Sequence, residues 1–378
     1  MTSTPMTITW DEAGETRSAL WHSSNGAPAP RRIVVADDTL TAQDAYKLAT
    51  GGTAMLWRGD YHNARQLLGA MARRVPDPAK AKRGAAPATV AQDFYRYRQG
   101  RTHRARILSM LLVPVDPGPV VALRRAPDVT VAWLNAFGPV AEPVLVSLQE
   151  LLGAIGAQQW RTTGLHIDAL DAKIHPHYGT FAPVRGEYLN LVAQADLHGA
   201  DTAFDIGTGT GVLAAILARR GIKHVIATDS QARAIACATE LFQTLALDGR
   251  ATAIEQDMFP AGRAQLVVCN PPWLPGTPQT LLDYAVYDPK STMLRAFLAG
   301  LPDHLNDGGE GWLIISDLAE RLGLRTREEL LGWIADAGLE VVGRADTVPT
   351  HGRAADADDP FHAARSAEIT SLWKLRAT

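Results

Sequence analysis

Apolar residues follow two different patterns along the chain. From about residue 166 onward, short apolar runs typical of strands alternate with longer amphipathic runs typical of helices. Strands are predicted at 202–206, 224–228, 252–255, 266–269 and 311–316, with helices between them at 212–220, 231–245, 293–304 and 327–337. This alternation indicates a doubly wound, mostly parallel sheet. Two late strands, at 341–348 and 369–375, have no clear helix between them, so we expect seven strands with an antiparallel pair at one edge.

The pattern before residue 166 is more helical. Helices are predicted at 40–74, broken by two glycine-containing turns, and at 91–112 and 142–155, with short strands at 120–123 and 129–134. The sequence therefore predicts a mainly helical N-terminal domain, residues 1–165, with a possible role in substrate recognition. Residues 166–378 are predicted to form the α/β domain.

Composition and charge limit the class of protein. Apolar residues make up 46% of the chain and charged residues 20%, which is typical of a globular protein. No apolar run approaches the roughly 20 residues that cross a bilayer, and no signal-peptide pattern is present. Two cysteines, Cys237 and Cys269, make neither a disulfide framework nor a four-ligand zinc site. We therefore expect a cytoplasmic protein with no membrane partner and no metal.

A glycine-rich turn joins the first α/β strand to the first helix. It reads Asp205-Ile206-Gly207-Thr208-Gly209-Thr210-Gly211, and such glycines permit close approach of the backbone to a ligand. Val212 stands where the dinucleotide fingerprint requires glycine, and the phosphate-loop pattern is absent. Asp205 would repel a pyrophosphate but suits a cationic amino group. S-adenosylmethionine (SAM), which carries an ammonium and no phosphate, is therefore the expected cofactor.

Two more acids follow the next two strands. Asp229 ends the strand at 224–228, and Asp257 follows the strand at 252–255 with Met258 beside it. Asp229 is placed to accept both ribose hydroxyls, and Asp257 to accept from an adenine amino group while Met258 packs on the ring. One such acid is equally typical of a helix N-cap. Three acids in register favour a ligand site.

The strand at 266–269 runs directly into Asn270-Pro271-Pro272-Trp273. The prolines end the strand and remove two backbone donors, which leaves carbonyl oxygens free to accept. The Asn270 side-chain oxygen and the Pro271 carbonyl can together grip both hydrogens of a target NH2, and Trp273 offers a flat face for a base or amide. We expect these three residues to form the reaction centre, because direct methyl transfer depends on positioning and electrostatics.

These motifs resemble those of class I SAM-dependent methyltransferases of the small-domain superfamily. That superfamily includes HemK-type glutamine methyltransferases and the guanine-N2 methyltransferases of ribosomal RNA. The resemblance covers about residues 175–320. It implies a Rossmann-like fold in which Asn270 and Pro271 hold the target nitrogen and SAM is held by Asp205, Gly207, Gly209, Asp229 and Asp257. Gly211, Met258 and Asn270 are further candidate contacts of the cofactor.

The resemblance leaves the substrate open. The Pro-Arg-x-Glu-Thr segment of HemK-like members is similar to, but shifted from, residues 181–187, where Phe181 and Arg185 are candidate substrate contacts. Trp273 also stands where the family motif usually has Tyr or Phe. The shifted segment weakens the inference that glutamine is the target, and Trp273 leaves the substrate class open.

Three further features have ordinary structural explanations. His175 and His177 form an H-x-H pair, but no third metal ligand has a suggestive spacing, so a polar turn is favoured. Cys269 is better explained as a small buried residue than as a covalent nucleophile. The polar stretch 351–366, with His351, Arg353, His362 and Arg365, is either a solvated loop or a recognition loop near the substrate.

Charge is divided unequally between the two halves. Residues 1–165 hold 19 basic and 13 acidic residues, a net charge of +6, whereas residues 166–378 hold 18 and 27, a net charge of −9. The segment 73–106 contains ten Lys or Arg residues, two Asp residues and the aromatic residues Phe94, Tyr95 and Tyr97. A basic segment with aromatic residues suits RNA, although a solvated helix face has the same composition.

The leading hypothesis is therefore an N-methyltransferase that acts on a base amino group of RNA, most simply ribosomal RNA. Glutamine methylation of a protein belongs to the same reaction class. Methylation of a small metabolite, with the first domain as a lid, is a third alternative. A SAM- or RNA-binding module with an inactive site is the non-enzyme alternative, and the intact set of acids and the Asn-Pro-Pro-Trp motif argue against it.

Overall fold

The computed structural model describes residues 6–80, 89–184, 186–349 and 356–378. The chain divides into two compact units. The first comprises residues up to 88 together with 92–159, and the second comprises 89–91 together with 160–378. The change of unit lies a few residues before the predicted boundary at 165/166. Within the described ranges, no helix combines the length and apolar character needed to cross a membrane.

The first unit is built around a six-stranded sheet. Its strands are β1 (Met6–Glu12), β2 (Glu15–His22), β3 (Arg32–Ala36), β4 (Thr53–Trp57), β5 (Leu111–Val115) and β6 (Val144–Ser147). They are ordered β1-β2-β6-β5-β4-β3, with β3, β4 and β5 parallel and β6 antiparallel to β5. The helices of this part of the chain are α1 (Ala42–Thr50), α2 (Tyr61–Arg74), α3 (Val90–Leu108), α4 (Thr130–Phe137) and α5 (Leu148–Thr163).

The prediction of a mainly helical first domain missed this sheet. Strands β4, β5 and β6 are four or five residues long, and every residue in them is buried. They therefore lack the alternation of a half-exposed strand, and a short apolar run of this kind cannot be distinguished from a buried helix by its pattern. The strand predicted at 129–134 was also wrong, because these residues mostly form α4.

The second unit contains the predicted seven-stranded sheet. Its strands are β9 (Thr202–Ile206), β10 (His224–Asp229), β11 (Ala251–Glu255), β12 (Ala264–Cys269), β13 (Leu305–Ser316), β14 (Leu339–Thr347) and β15 (Thr370–Ala377), preceded by the small hairpin β7 (Leu165–Ile167) and β8 (Ala172–Ile174). Their order is β11-β10-β9-β12-β13-β15-β14. Strands β9 to β13 are parallel, and β15 is antiparallel to both of its neighbours. The doubly wound, mostly parallel fold is confirmed.

Helices cover both faces of this sheet. They are α6 (Glu187–Gln194), α7 (Val212–Arg219), α8 (Ala232–Thr244), α9 (Thr292–His304), α10 (Leu318–Arg321), α11 (Arg327–Asp336) and α12 (His362–Ser366). Helices α6, α7 and α8 pack into one apolar core, and α9 and α11 pack into the core on the other face. Seven of the eight residues of α7 are buried apolar side chains, which fixes this helix firmly against the sheet.

The order of the strands determines where a ligand site forms. Strand β9 has β10 on one side and β12 on the other, so the chain order reverses between β9 and β12. Ligands of open α/β sheets bind at the carboxyl ends of the strands, at such a reversal. Ile206 is the register partner of Thr228 in β10 and of Cys269 in β12. The chain segments that leave these three strands therefore start at the same edge.

Candidate active site

The glycine turn leaves this edge between β9 and α7. Gly209 has a φ of +56°, and a Cβ atom at this position would meet no atom within 4 Å, so its backbone is open to a ligand. Gly211 has a different role, because a Cβ atom there would lie 2.9 Å from Cβ of Ala238 and 3.0 Å from the ring of Phe242. Gly211 therefore allows α7 to pack closely against α8, and its contact with the cofactor stays a prediction.

Asp205 is fully buried just before the turn. Its Oδ2 accepts hydrogen bonds from Thr208 Oγ1 at 2.6 Å and from the Ala214 amide at 3.1 Å. Its Oδ1 is buried and has no hydrogen-bond partner among the described residues. Burial raises the pKa of Asp205 to about 6, against the lowering effect of those two hydrogen bonds. A buried acceptor that lacks a donor fits the ammonium group of SAM.

Asp229 ties the glycine turn to the end of β10. Its Oδ2 accepts from the Gly209 amide at 3.0 Å and its Oδ1 from the Gln231 amide at 2.9 Å. Burial raises the pKa of this carboxyl group above its usual value. Each carboxylate oxygen can accept a second hydrogen bond, so both remain able to bind the ribose hydroxyls as predicted.

Asp257 and Met258 lie one strand further out. Asp257 is exposed two residues beyond the end of β11. The backbone of Met258 adopts a φ of +60°, and its carbonyl oxygen accepts a hydrogen bond from Thr228 Oγ1 at 2.6 Å. Met258 packs on the core beneath the sheet edge. Both residues therefore follow β11 next to β10, and their contacts with adenine stay predictions.

The Asn-Pro-Pro-Trp turn begins immediately after β12. Pro271 and Pro272 are buried, whereas Asn270 and Trp273 are half-buried. Trp273 Nε1 donates a hydrogen bond to Asn270 Oδ1 at 2.9 Å. Because Cys269 pairs with Ile206, Asn270 follows at the level of Gly207 on the neighbouring strand, and adjacent strands lie about 4.8 Å apart. The predicted target-binding turn and the predicted cofactor turn are therefore side by side.

Three residues of this region were missed by the sequence analysis. Asp288 caps α9 by accepting from the amides of Met293 and Leu294 at 3.0 and 3.1 Å. Met293 packs against the glycine turn, because a Cβ atom at Gly207 would lie 2.7 Å from Met293 Cε. An Asp-Pro pair shortly before a helical pattern is a recognisable start signal for Asp288, but no local signal identifies Met293.

Tyr188 is the third missed residue. It lies on α6, its side chain is buried, and its ring meets Trp273 edge-on with ring centroids 6.2 Å apart. The Asn270 side chain acts on the pKa of its hydroxyl group, so the two groups lie near each other. Only the tertiary packing of α6 against the turn brings Tyr188 to this position, so nothing in the local sequence identifies it.

Similarity to known proteins agrees with this geometry. Residues 189–321, which contain both turns, match the model of a family described as the methyltransferase small domain. The matched family is the one that the sequence motifs predict, and the similarity supports SAM as the cofactor and methyl transfer as the reaction class.

Curated proteins are also similar to part of this chain. A release factor glutamine methyltransferase of Cereibacter sphaeroides is 30% identical over 169 residues, which cover 41% of this chain and 58% of that protein. A putative protein N5-glutamine methyltransferase of Methanocaldococcus jannaschii is 26% identical over 162 residues, 41% of this chain and 80% of the relative. Ribosomal RNA small subunit methyltransferase C of Erwinia tasmaniensis is 35% identical over 121 residues, 32% of each chain. The chain therefore spans little more than half of the first relative.

The predicted substrate contacts upstream of α6 stay predictions. Phe181 is half-buried in the segment between β8 and α6. Arg185 lies outside the described residues. A Cβ atom at Gly179 in the same segment would lie 3.1 Å from the side chain of Leu281, which follows the Asn-Pro-Pro-Trp turn. This segment therefore packs against the chain that follows the Asn-Pro-Pro-Trp turn.

The two histidines have structural contacts within the second unit. His177 Nε2 lies 2.8 Å from Glu240 Oε2, and the same oxygen accepts from Arg161 at 2.6 Å. His175 Nδ1 lies 2.6 Å from the Arg161 carbonyl oxygen. These contacts fix the segment against α8, as the polar-turn interpretation predicts. Across the described ranges, no group of three or more His, Cys, Asp or Glu residues is arranged to hold a metal ion.

The remaining two features are also explained. Cys269 is fully buried, and burial raises the pKa of its thiol well above its usual range, so it is a core residue rather than a nucleophile. Of the polar stretch 351–366, His351 and Arg353 lie outside the described residues. Arg365 is buried and forms an ion pair with Asp359 at 3.1 Å, so it anchors this stretch instead of facing a substrate.

The affinity for SAM is expected to fall as the pH drops below about 6. The pKa of Asp205 is raised to about 6 by burial, and only the ionised carboxylate pairs with the SAM ammonium group. Protonation below that pH should therefore raise the dissociation constant about tenfold per pH unit. Calorimetry from about pH 5 to pH 8 measures this. Asp205→Asn should bind weakly and without that slope, and a wild-type affinity that stays constant below pH 6 contradicts the assigned role.

Proposed function

We propose that this protein transfers a methyl group from SAM to a planar NH2 group, with a base amino group of ribosomal RNA as the leading target. One observation carries the proposal. Asn270, which carries the acceptor oxygen, directly follows β12 at the carboxyl edge of the sheet. The turn with Gly207 and Gly209 follows the adjacent strand β9, which contains Asp205. A target nitrogen held by Asn270 is therefore next to the predicted position of the cofactor. With ribosomal RNA as the acceptor, the protein acts in the cytoplasm.

The chemistry follows from hydrogen bonding to the target. Asn270 Oδ1 and the Pro271 carbonyl oxygen accept hydrogen bonds from the two N–H groups of the target NH2. These hydrogen bonds draw the lone pair of the target nitrogen out of conjugation. When bound, SAM supplies an electrophilic methyl group on sulfur. The protein then contributes orientation and exclusion of water, which lower the barrier without a covalent intermediate. The buried Cys269 thiol has no part in this scheme.

The basic segment of the first unit supports an RNA substrate. Helix α3 buries Phe94 and exposes Tyr95, Arg96, Arg101 and Arg106. Its Arg104 donates to the Val75 carbonyl at 2.6 Å, which joins α3 to the basic end of α2 at Arg73 and Arg74. Lys82 and Arg83 of the same segment lie outside the described residues. Clustered arginines with an exposed tyrosine suit phosphate contacts and base stacking.

Protein glutamine methylation is the second candidate. It is favoured by the names of two relatives, both glutamine methyltransferases, at 30% and 26% identity. A planar side-chain amide presents the same NH2 geometry to Asn270 as a base amino group does. The two candidates therefore share the reaction centre and differ in what the rest of the chain must recognise.

The experiment that tests the proposal separates these acceptors. The protein is incubated with SAM labelled on the methyl group and with ribosomal subunits, free RNA, total protein or small-molecule extract. Label in the RNA of subunits or in free RNA is the expected result. Label in protein alone favours the second candidate, and label in small molecules overturns both. A chain that binds SAM but labels no fraction is an inactive binding module.

Charge reversal on α3 tests RNA binding directly. We expect Arg96→Glu, Arg101→Glu and Arg106→Glu together to weaken RNA binding, because each lost phosphate contact removes about 0.7 from the slope of log affinity against log salt. Arg98 is left unchanged because it is half-buried. RNA affinity at several salt concentrations gives the slope.

A matched control carries the same change of charge elsewhere in the first unit. Arg17, Arg31 and Lys47 are exposed on other elements, and their reversal to Glu should change RNA affinity much less. SAM affinity should be the same in all three proteins. Equal slopes and affinities in wild type and the α3 variant show that α3 is a solvated face, which favours the protein candidate.

A further inference from the structure

The orientation of the Asn270 side chain is determined by Trp273. The indole N–H of Trp273 donates to Asn270 at 2.9 Å. An indole nitrogen is a donor and never an acceptor, so the amide atom that faces it must be the oxygen. An amide turned by 180° would place its own N–H groups against the indole N–H and lose this hydrogen bond. Trp273 therefore does more than present a flat face to a substrate.

Tyr188 lies beside the same carboxamide. Its side chain is buried, its ring packs edge-on against Trp273 at an interplanar angle of 80°, and the Asn270 side chain acts on the pKa of its hydroxyl group. Because the Asn270 oxygen already accepts from Trp273, the amide N–H is the complementary partner for the Tyr188 oxygen. Burial and the nearby Asp205 carboxylate raise the pKa of Tyr188, so this hydroxyl group stays neutral.

We propose that Trp273 and Tyr188 are positioning residues that hold the Asn270 carboxamide with its oxygen toward the target nitrogen. The inference rests on the proposed function. A target NH2 is a hydrogen-bond donor, so only the oxygen of Asn270 can accept from it. A flipped amide would place its own NH2 group, also a donor, against the target. The oxygen has two lone pairs, one for the Trp273 N–H and one for a target N–H. The orientation seen here is thus the productive one.

A double-mutant cycle on turnover distinguishes positioning from general packing. Trp273→Phe keeps an aromatic ring and removes the donor. It should lower kcat about tenfold, equivalent to about 1.4 kcal/mol, with the dissociation constant of SAM unchanged. In an Asn270→Ala background the same substitution should have almost no further effect on kcat, because the group it orients is absent. The acceptor is the fraction that takes up label in the experiment above.

Trp312→Phe is the matched control. Trp312 is a fully buried tryptophan of the same unit whose Nε1 donates to Glu310 Oε2 at 3.1 Å and not to Asn270. It should lower thermal stability and leave kcat unchanged in both backgrounds. If Trp273→Phe lowers kcat equally with and without Asn270, the positioning role is overturned. If Asn270→Ala alone leaves turnover unchanged, the proposed function fails first.

A spectroscopic measurement tests the same contacts without an acceptor. The indole N–H signal of Trp273 in a nitrogen-15 correlation spectrum, assigned by its loss in Trp273→Phe, should move upfield in Asn270→Ala. The same indole signal should also move in Tyr188→Phe. It should not move in Tyr61→Phe, because Tyr61 is a buried tyrosine of the first unit. An indole signal that is unchanged in both Asn270→Ala and Tyr188→Phe overturns the proposal.

Discussion

Asn270→Ala is expected to lower turnover by about 100- to 1000-fold, the usual loss for one oriented polar group at a reaction centre. The substitution removes the oxygen that grips the target nitrogen, whereas Pro271, Asp205 and the glycine turn stay in place. The fold should persist, because Asn270 is half-buried and lies after the end of β12 rather than within it. Initial rates at saturating SAM measure the effect, and calorimetry should show that most SAM affinity remains.

An exposed asparagine of the same unit provides the control for this substitution. Asn306, near the start of β13, is exposed and far along the strand from the carboxyl edge, so Asn306→Ala should have wild-type turnover. Similar thermal unfolding of the two variants would exclude a general loss of structure. Wild-type turnover in Asn270→Ala refutes the role assigned to its side chain.

Asp229→Ala should weaken SAM binding by about 1.5–3 kcal/mol, or roughly 10- to 150-fold, the range for hydrogen bonds to a charged group. The loss has two physical sources. The variant cannot accept the ribose hydroxyls, and it no longer accepts from the Gly209 amide, which it holds at 3.0 Å in the glycine turn. Calorimetric titration with SAM measures the change.

Two comparisons make that titration decisive. Asp248→Ala removes an exposed acid in the loop after α8 and should leave SAM affinity unchanged. NAD should bind none of the three proteins measurably, because Asp205 disfavours a pyrophosphate. Tighter binding of NAD than of SAM, or an Asp229→Ala variant with undiminished SAM affinity, contradicts the cofactor assignment.

The sequence predicts those parts of the site that depend on strand ends. Asp205, Asp229 and Asn270 each lie at or next to the carboxyl end of a recognisable strand, and parallel strands bring such ends to one edge. The placement of these residues therefore follows from the order of elements along the chain. Gly211 shows the limit of this reasoning, because its motif position indicates ligand binding while its contacts with Ala238 and Phe242 indicate helix packing.

Residues that reach the site by tertiary packing were not predictable. Tyr188 lies on α6 and Met293 on α9, and each contacts a turn that is distant in sequence. Their own helices show only ordinary amphipathic patterns, which do not specify what the buried face meets. The sheet of the first unit was missed for a related reason, since β4, β5 and β6 are too short and too uniformly buried to show a strand period.

The atom that receives the methyl group tests the central claim most directly. The acceptor labelled by the wild-type protein is digested to nucleosides or amino acids, and the methylated product is identified by mass spectrometry against synthetic standards. The arrangement of Asn270 and the Pro271 carbonyl predicts a methyl group on an exocyclic or amide nitrogen, formed at a much lower rate by Asn270→Ala. A methyl group on carbon or oxygen, formed at the same rate by wild type and Asn270→Ala, would contradict the account.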